Sequence, residues 1–95
     1  MKKFFFVELT IKQGERANLL KYLNQYAVDV RQEDGCECLD VLIDSDSENL
    51  VYLYEIWRDL ASQLAHLETK GFAEWKSFSD PLIEGFSVKT LESGE

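Results

Sequence analysis

Apolar and polar residues alternate between Phe4 and Ile11, with Val7, Leu9 and Ile11 on one side and Phe6, Glu8 and Thr10 on the other. That period of two is the mark of a β-strand, and the aromatic opening predicts one at least partly covered on both faces. Gly14 breaks the extended run. From about Glu15 the apolar positions become Leu19, Leu20, Leu23, Tyr26, Ala27 and Val30, the spacing of an amphipathic helix with Lys21, Asn24, Gln25 and Asp29 outward. Asp34-Gly35 is a turn signal, so this helix is expected to end near Glu33. Period two returns from Cys36 to Ile43, with Leu39, Val41 and Ile43 on one face and Cys36, Cys38, Asp40 and Leu42 on the other. The polar stretch Asp44 to Asn49 has hairpin composition, and Leu50 to Trp57 is rich in the aromatic and branched residues that strands favour.

Asp59 can cap a second helix from about Leu60, with Leu60, Leu64 and Leu67 as its buried stripe and Gly71 as its end. A shorter helical turn with Phe72, Trp75 and Phe78 follows and stops at Pro81. Glu84 to Leu91 reads as a last strand, Phe86 and Val88 on one face, Ser87 and Lys89 on the other. The order βαββαβ is an α+β, ferredoxin-like arrangement: an antiparallel sheet with helices on one face and nothing on the other. Phe5 or Phe6, Leu53 and Trp57, or their opposite-face partners, would then expose a large apolar patch. Two sheets packed face to face in a two-fold homodimer is the expected solution. No repeat, linker or low-complexity segment interrupts residues 1–95, so a single domain is expected.

Composition narrows the function classes. Ten basic against eighteen acidic residues give a net charge of −8, which leaves no cationic excess to displace counterions from a phosphate backbone, so no nucleic-acid partner is expected. No apolar run approaches the ~18 residues of a membrane span. The cluster Phe4 to Val7 is cut by Glu8 before a signal-peptide core of ~7 residues is complete, so the expectation is a chain that begins at Met1 and stays in the cytoplasm. Cys36 and Cys38, two positions apart on a strand, should leave the same face, a geometry that does not favour a mutual disulfide.

The block Tyr54-Glu55-Ile56-Trp57-Arg58-Asp59, followed by Ala65-His66-Leu67 and Phe72, resembles the signature of the antibiotic biosynthesis monooxygenase family. The upstream run Gly35-Cys36-Glu37-Cys38-Leu39-Asp40-Val41, leading into an acidic loop and a second strand, is similar to the same family. The resemblance implies a dimeric α+β barrel of the group that includes quinol monooxygenases. It implies an oxidoreductase that uses molecular oxygen on a small aromatic substrate with no metal, flavin or haem. It carries over three positions, His66, Glu55 and Trp57. In an enzyme of this kind His66 would be the catalytic base that takes a phenolic proton and Glu55 its partner, and from the aromatic set Trp57, Tyr52, Tyr54, Phe72 and Trp75 the substrate-binding walls would be Trp57, Tyr54, Phe72 and Trp75. The family also holds haem-degrading enzymes, but their first-strand asparagine has no counterpart between Phe4 and Ile11, which argues against haem turnover.

Each of these residues has a plainer reading. If Leu60, Leu64 and Leu67 are buried, His66 lies roughly 100° from the stripe, on the helix flank, where a cleft-lining or an ordinary surface histidine would sit. There its removal should hardly affect folding. Glu55 shares a strand face with Leu53 and Trp57, where a carboxylate is costly unless paired, so an ion pair with Arg58, Lys89 or a partner subunit competes with a role in orienting His66. Aromatics at such spacing are more often core than pocket. Zinc needs three or four ligands, and no second cysteine pair or histidine pair joins Cys36 and Cys38, so no metal site is expected. Asp44, Asp46, Glu48 and Glu55 fall at calcium-loop offsets, but Asn49 replaces the required glycine. Two rival functions follow from the same residues. One is an isomerase or lyase of a small polar carbonyl compound, with Arg58, Lys70, Lys76 or Lys89 to hold a phosphate where the compound carries one. The other is a non-enzymatic ligand-binding dimer.

Overall fold

Strand β1 (Lys3–Ile11) buries Phe5, Leu9 and Ile11 on one face, which is what its alternating pattern requires. The computed structural model describes residues 1–95. It continues with α1 (Arg16–Val30), β2 (Cys36–Ile43), β3 (Leu50–Trp57), α2 (Leu60–Leu67), α3 (Lys70–Ser79), a 3-10 turn over Asp80–Leu82 and β4 (Ile83–Leu91). The strands form one antiparallel sheet in the order β2-β3-β1-β4. This is the expected ferredoxin-like α+β fold.

The register settles which sheet face is covered. Leu9 opposes Val51 and Val7 opposes Leu53, so Phe5, Leu53 and Trp57 lie under the helices, while Phe6, Tyr52, Tyr54 and Ile56 lie on the open face. There Phe6 stacks on Tyr52 with ring centroids 5.5 Å apart. Under the helices, α1 contributes Leu19, Leu23, Ala27 and Val30 to a core closed by Val51, Trp57 and Trp75.

Four local expectations are corrected. Helix α1 ends at Val30, and the chain turns through Arg31–Gly35 before β2. The register of β2 shifts between Cys36 and Cys38, placing Cys36 opposite Trp57 under the helices and Cys38 opposite Ile56 on the open face. One extra residue in a bulge reverses side-chain parity, so the two thiols do not share a face. Gly71 does not end α2. Thr69 caps α3 by accepting from the Phe72 N–H at 3.1 Å, and Gly71 sits in the first turn of that helix, where an added Cβ would meet Tyr26 Cε1 at 3.2 Å.

The fourth correction matters most for function. Helix α2 starts where predicted, with Asp59 accepting from the Ser62 N–H at 2.8 Å, but its buried residues are Ser62 and His66. Leu60, Leu64 and Leu67 are 46%, 51% and 40% exposed. The cause is a close approach: Gly35, at φ +86°, has room for no side chain because its Cβ would fall 2.3 Å from Ser62 Cβ. The Ser62 side of α2 is thereby pressed onto the turn before β2, and Arg58 Nη2 donates to Ser62 Oγ at 3.0 Å to hold it there.

Candidate active site

Because Ser62 and His66 stand one helical turn apart, the packing that buries one buries the other. His66 is only 7% exposed and lies over the indole of Trp57, ring centroids 4.9 Å apart, with the edge of Phe72 at 5.3 Å and the ring of Tyr26 at 6.4 Å. The flank position expected for it is therefore wrong. Thr69 Oγ1 donates to the His66 carbonyl at 2.9 Å while capping α3, so one threonine ties the end of α2 to the helix that carries Phe72 and Trp75.

Glu33 Oε1 lies 2.8 Å from His66 Nδ1. This residue, from the turn after α1, escaped sequence reasoning. Its only signal is an acidic side chain just before the Asp34-Gly35 turn, and nothing in the pattern points to a histidine so far along the chain. Tyr26 escaped as well, counted only as a helix position. Its hydroxyl is buried without a hydrogen-bond partner, and burial beside Glu33 pushes its ionisation far above the usual phenol range.

Glu55, expected to pair with His66 or with a cation, instead accepts the Trp57 Nε1–H at 2.9 Å. It has no ion pair with Arg58 or Lys89: Arg58 pairs with Asp34 at 3.1 Å and with Asp59 at 3.5 Å, and Lys89 opposes Phe6 on the open face. Burial raises the Glu55 carboxyl above its ordinary range, and the Trp57 bond and the nearby His66 only partly oppose this. Neutral Glu55 is a hydrogen-bond donor, so the site offers a ring nitrogen and a carboxyl that can be found protonated.

Both groups line a cavity of about 200 Å³ between sheet and helices, walled chiefly by Phe5, Leu53, Phe72 and Trp75. Helix α1 leans on β2 and α2 on β3, which leaves β4 uncovered at the sheet edge, with Phe86 73% and Val88 49% exposed at the mouth. Of the expected walls, Phe72 and Trp75 are in place. Trp57 is fully buried and forms a floor beneath His66. Tyr54 faces the other side of the sheet and does not touch this cavity, because it alternates with Leu53 and Glu55 along β3. Among Arg58, Lys70, Lys76 and Lys89, only Lys76 borders the cavity. On its other side His66 borders a polar groove shared with Glu33, Arg58, Asp59 and Thr69.

The remaining candidates are structural. Cys36 and Cys38 are free thiols, and burial pushes Cys36 up to about 11, away from the reactive thiolate. Asp44 closes its own loop, accepting from the Asp46 and Ser47 N–H groups and from the Tyr52 hydroxyl at 2.8 Å, so the calcium-like spacing is a hairpin cap. No group of three or more His, Cys, Asp and Glu side chains is placed to hold a metal ion.

The sequence model of the antibiotic biosynthesis monooxygenase family matches residues 5–77. The chain belongs to that family. The match spans β1 through most of α3 and includes His66, Glu55, Trp57 and Glu33. No curated protein sequence matches the chain. Among solved structures, a protein of Pseudomonas aeruginosa superposes with a TM-score of 0.93 at 23% identity, covering 99% of this chain and 95% of its own. A protein of Mycobacterium tuberculosis gives 0.91 at 18% identity over 100% and 97% of the two chains. A structure described as an antibiotic biosynthesis monooxygenase gives 0.91 at 20% identity, with 100% of each chain covered. At these identities the likeness speaks for the fold alone.

Proposed function

We propose that this member of the antibiotic biosynthesis monooxygenase family is a cofactor-free oxygenase of a quinol or polycyclic phenol. It works as a single-domain chain in a cytoplasmic homodimer. The observation that carries the reading is a histidine and a burial-raised carboxyl opening into a small cavity walled by aromatic and aliphatic side chains. A flat phenol fills such a space, and only its hydroxyl needs a polar partner. The apolar open face of the sheet, with Phe6, Tyr52, Tyr54 and Ile56, supports the dimer. Two free thiols suit a reducing compartment.

The reacting carbon is a ring carbon that bears a hydrogen, para to the hydroxyl in a phenol and ortho to it in a quinol. His66 takes the hydroxyl proton, and the electron pair stays on the phenolate oxygen. The phenolate passes one electron to molecular oxygen, and the resulting radical and superoxide combine at that carbon as a peroxide. The proton returns from His66 to the outer peroxide oxygen. Loss of the ring hydrogen and cleavage of the O–O bond then release water and leave a quinone. One oxygen atom ends in the product and one in water. The Glu55 carboxyl, when protonated, can donate to the oxygen that gains charge, and Trp57 holds it in place.

The test is oxygen uptake by the protein, without added metal or flavin, across a panel of quinols and polycyclic phenols. Uptake with a quinone product one oxygen atom richer than the substrate, lost in His66→Ala, is the expected result. A panel without uptake overturns the proposal.

A further inference from the structure

Two carboxylates flank the only histidine, and they stand differently to it. Glu55 shares the apolar cavity and spends one oxygen on Trp57. Glu33 stands outside the cavity, in the polar groove, with 22% of its side chain exposed and Oε1 at 2.8 Å from Nδ1. The imidazole between them is clamped, stacked on Trp57 and met by the edge of Phe72, so it cannot exchange its two nitrogens without unpacking. The opposite nitrogen, Nε2, has no partner within the chain.

An unassisted neutral imidazole prefers its proton on Nε2, and in that form Nε2 is a donor that accepts nothing. A carboxylate at Nδ1 reverses the preference, because only Nδ1–H can donate to it. We propose that Glu33 is the positioning residue of His66: it holds the ring in the Nδ1–H tautomer and so leaves the Nε2 lone pair for the hydroxyl of a ligand in the apolar cavity. This rests on the phenol-oxidising reading for the identity of that ligand. When the hydroxyl proton moves to Nε2, the oxygen keeps the electron pair and the ring becomes a cation with both nitrogens protonated. The Glu33 carboxylate then faces that cation directly and holds the proton at hand for its return.

Because His66 is the only histidine, the imidazole nitrogen signals of the full chain, prepared without an affinity tag, belong to one residue. Long-range proton–nitrogen correlation at a pH where the ring is neutral should show the Nδ1–H pattern in the native protein. In Glu33→Ala the ratio of tautomers should move toward Nε2–H by about tenfold or more, the loss of one hydrogen bond to a charged acceptor. Glu33→Gln, which keeps an acceptor without the charge, should fall between. With a quinol substrate Glu33→Gln should lower kcat by about tenfold and leave KM little changed. A native spectrum of the Nε2–H form, or an unchanged ratio in both variants, overturns the inference. The spectra need no turnover, so they decide the role of Glu33 even if His66→Ala oxidises quinols normally and the proposed activity falls.

Discussion

Trp57 donates its indole N–H to Glu55 Oε1 across 2.9 Å, between neighbouring side chains of one strand face. That single bond is the direct hydrogen-bond support a carboxyl receives at the apolar end of the sheet, and burial still raises Glu55 above its ordinary value of 4.5.

This raised pKa has a sign in stability. The folded state holds the Glu55 proton more tightly than the unfolded chain, so ionising it opposes folding. The cost is absent well below pH 4.5, grows as pH rises above it, and levels off once the folded-state pKa is passed. Glu55→Gln keeps an oxygen for Trp57 and removes the charge. Its melting temperature should therefore gain on the native protein as pH rises from 4 to 7, measured by parallel thermal melts. A variant that loses ground over that range contradicts the burial argument.

His66→Ala should now cost stability as well as activity. A ring 7% exposed and stacked on Trp57 leaves a cavity when deleted. The cost should be about 1–3 kcal/mol, or a fall of roughly 4–8 °C for each kcal/mol in a domain of this size. Turnover should fall by ~10² or more. His66→Gln fills most of the space and can still meet Glu33, so it should recover melting temperature without recovering turnover.

Gly35→Ala should be among the most damaging small substitutions. A side chain at φ +86° costs about 1–3 kcal/mol from the backbone alone. The added Cβ also falls 2.3 Å from Ser62 Cβ and must push α2 away. A double-mutant cycle with Ser62→Gly, read by chemical denaturation, should show a coupling energy of about 0.5–3 kcal/mol from relief of that contact. Strict additivity would mean that the helix already stands clear of the turn.

Phe6→Asp places a charge in the middle of the open sheet face, beside Tyr52. The native chain should sediment as a dimer and the variant as a monomer at the same micromolar concentration. A native chain that sediments as a monomer removes the proposed sheet-to-sheet interface.

Much of the architecture was legible in the chain because it rests on local rules. Period-two alternation marks β1, β2 and β4, aromatic and branched composition marks β3, and Asp59 announces α2 through its capping oxygen. The polar run from Asp44 to Asn49 marked the hairpin because such side chains bond their own backbone, as Asp44 does. Glu55, His66, Phe72 and Trp75 were all singled out, and the structure brings them to one cavity.

What periodicity could not decide was the direction in which α2 faces. Three leucines suggested an inward stripe, but hydrophobicity is a preference summed over a whole surface. Here the contact of Ser62 with side-chain-free Gly35 turns the leucines outward and the histidine in. The same limit applies to the bulge that separates Cys36 from Cys38, since one inserted residue reverses parity with no change in composition. Above all, the partner of His66 is a glutamate 33 residues away in the chain, brought to 2.8 Å by the packing of α1, the turn after it and α2. Sequence spacing carries information only within an element, where geometry is periodic. Contacts between elements depend on how whole surfaces fit, and that is decided in three dimensions.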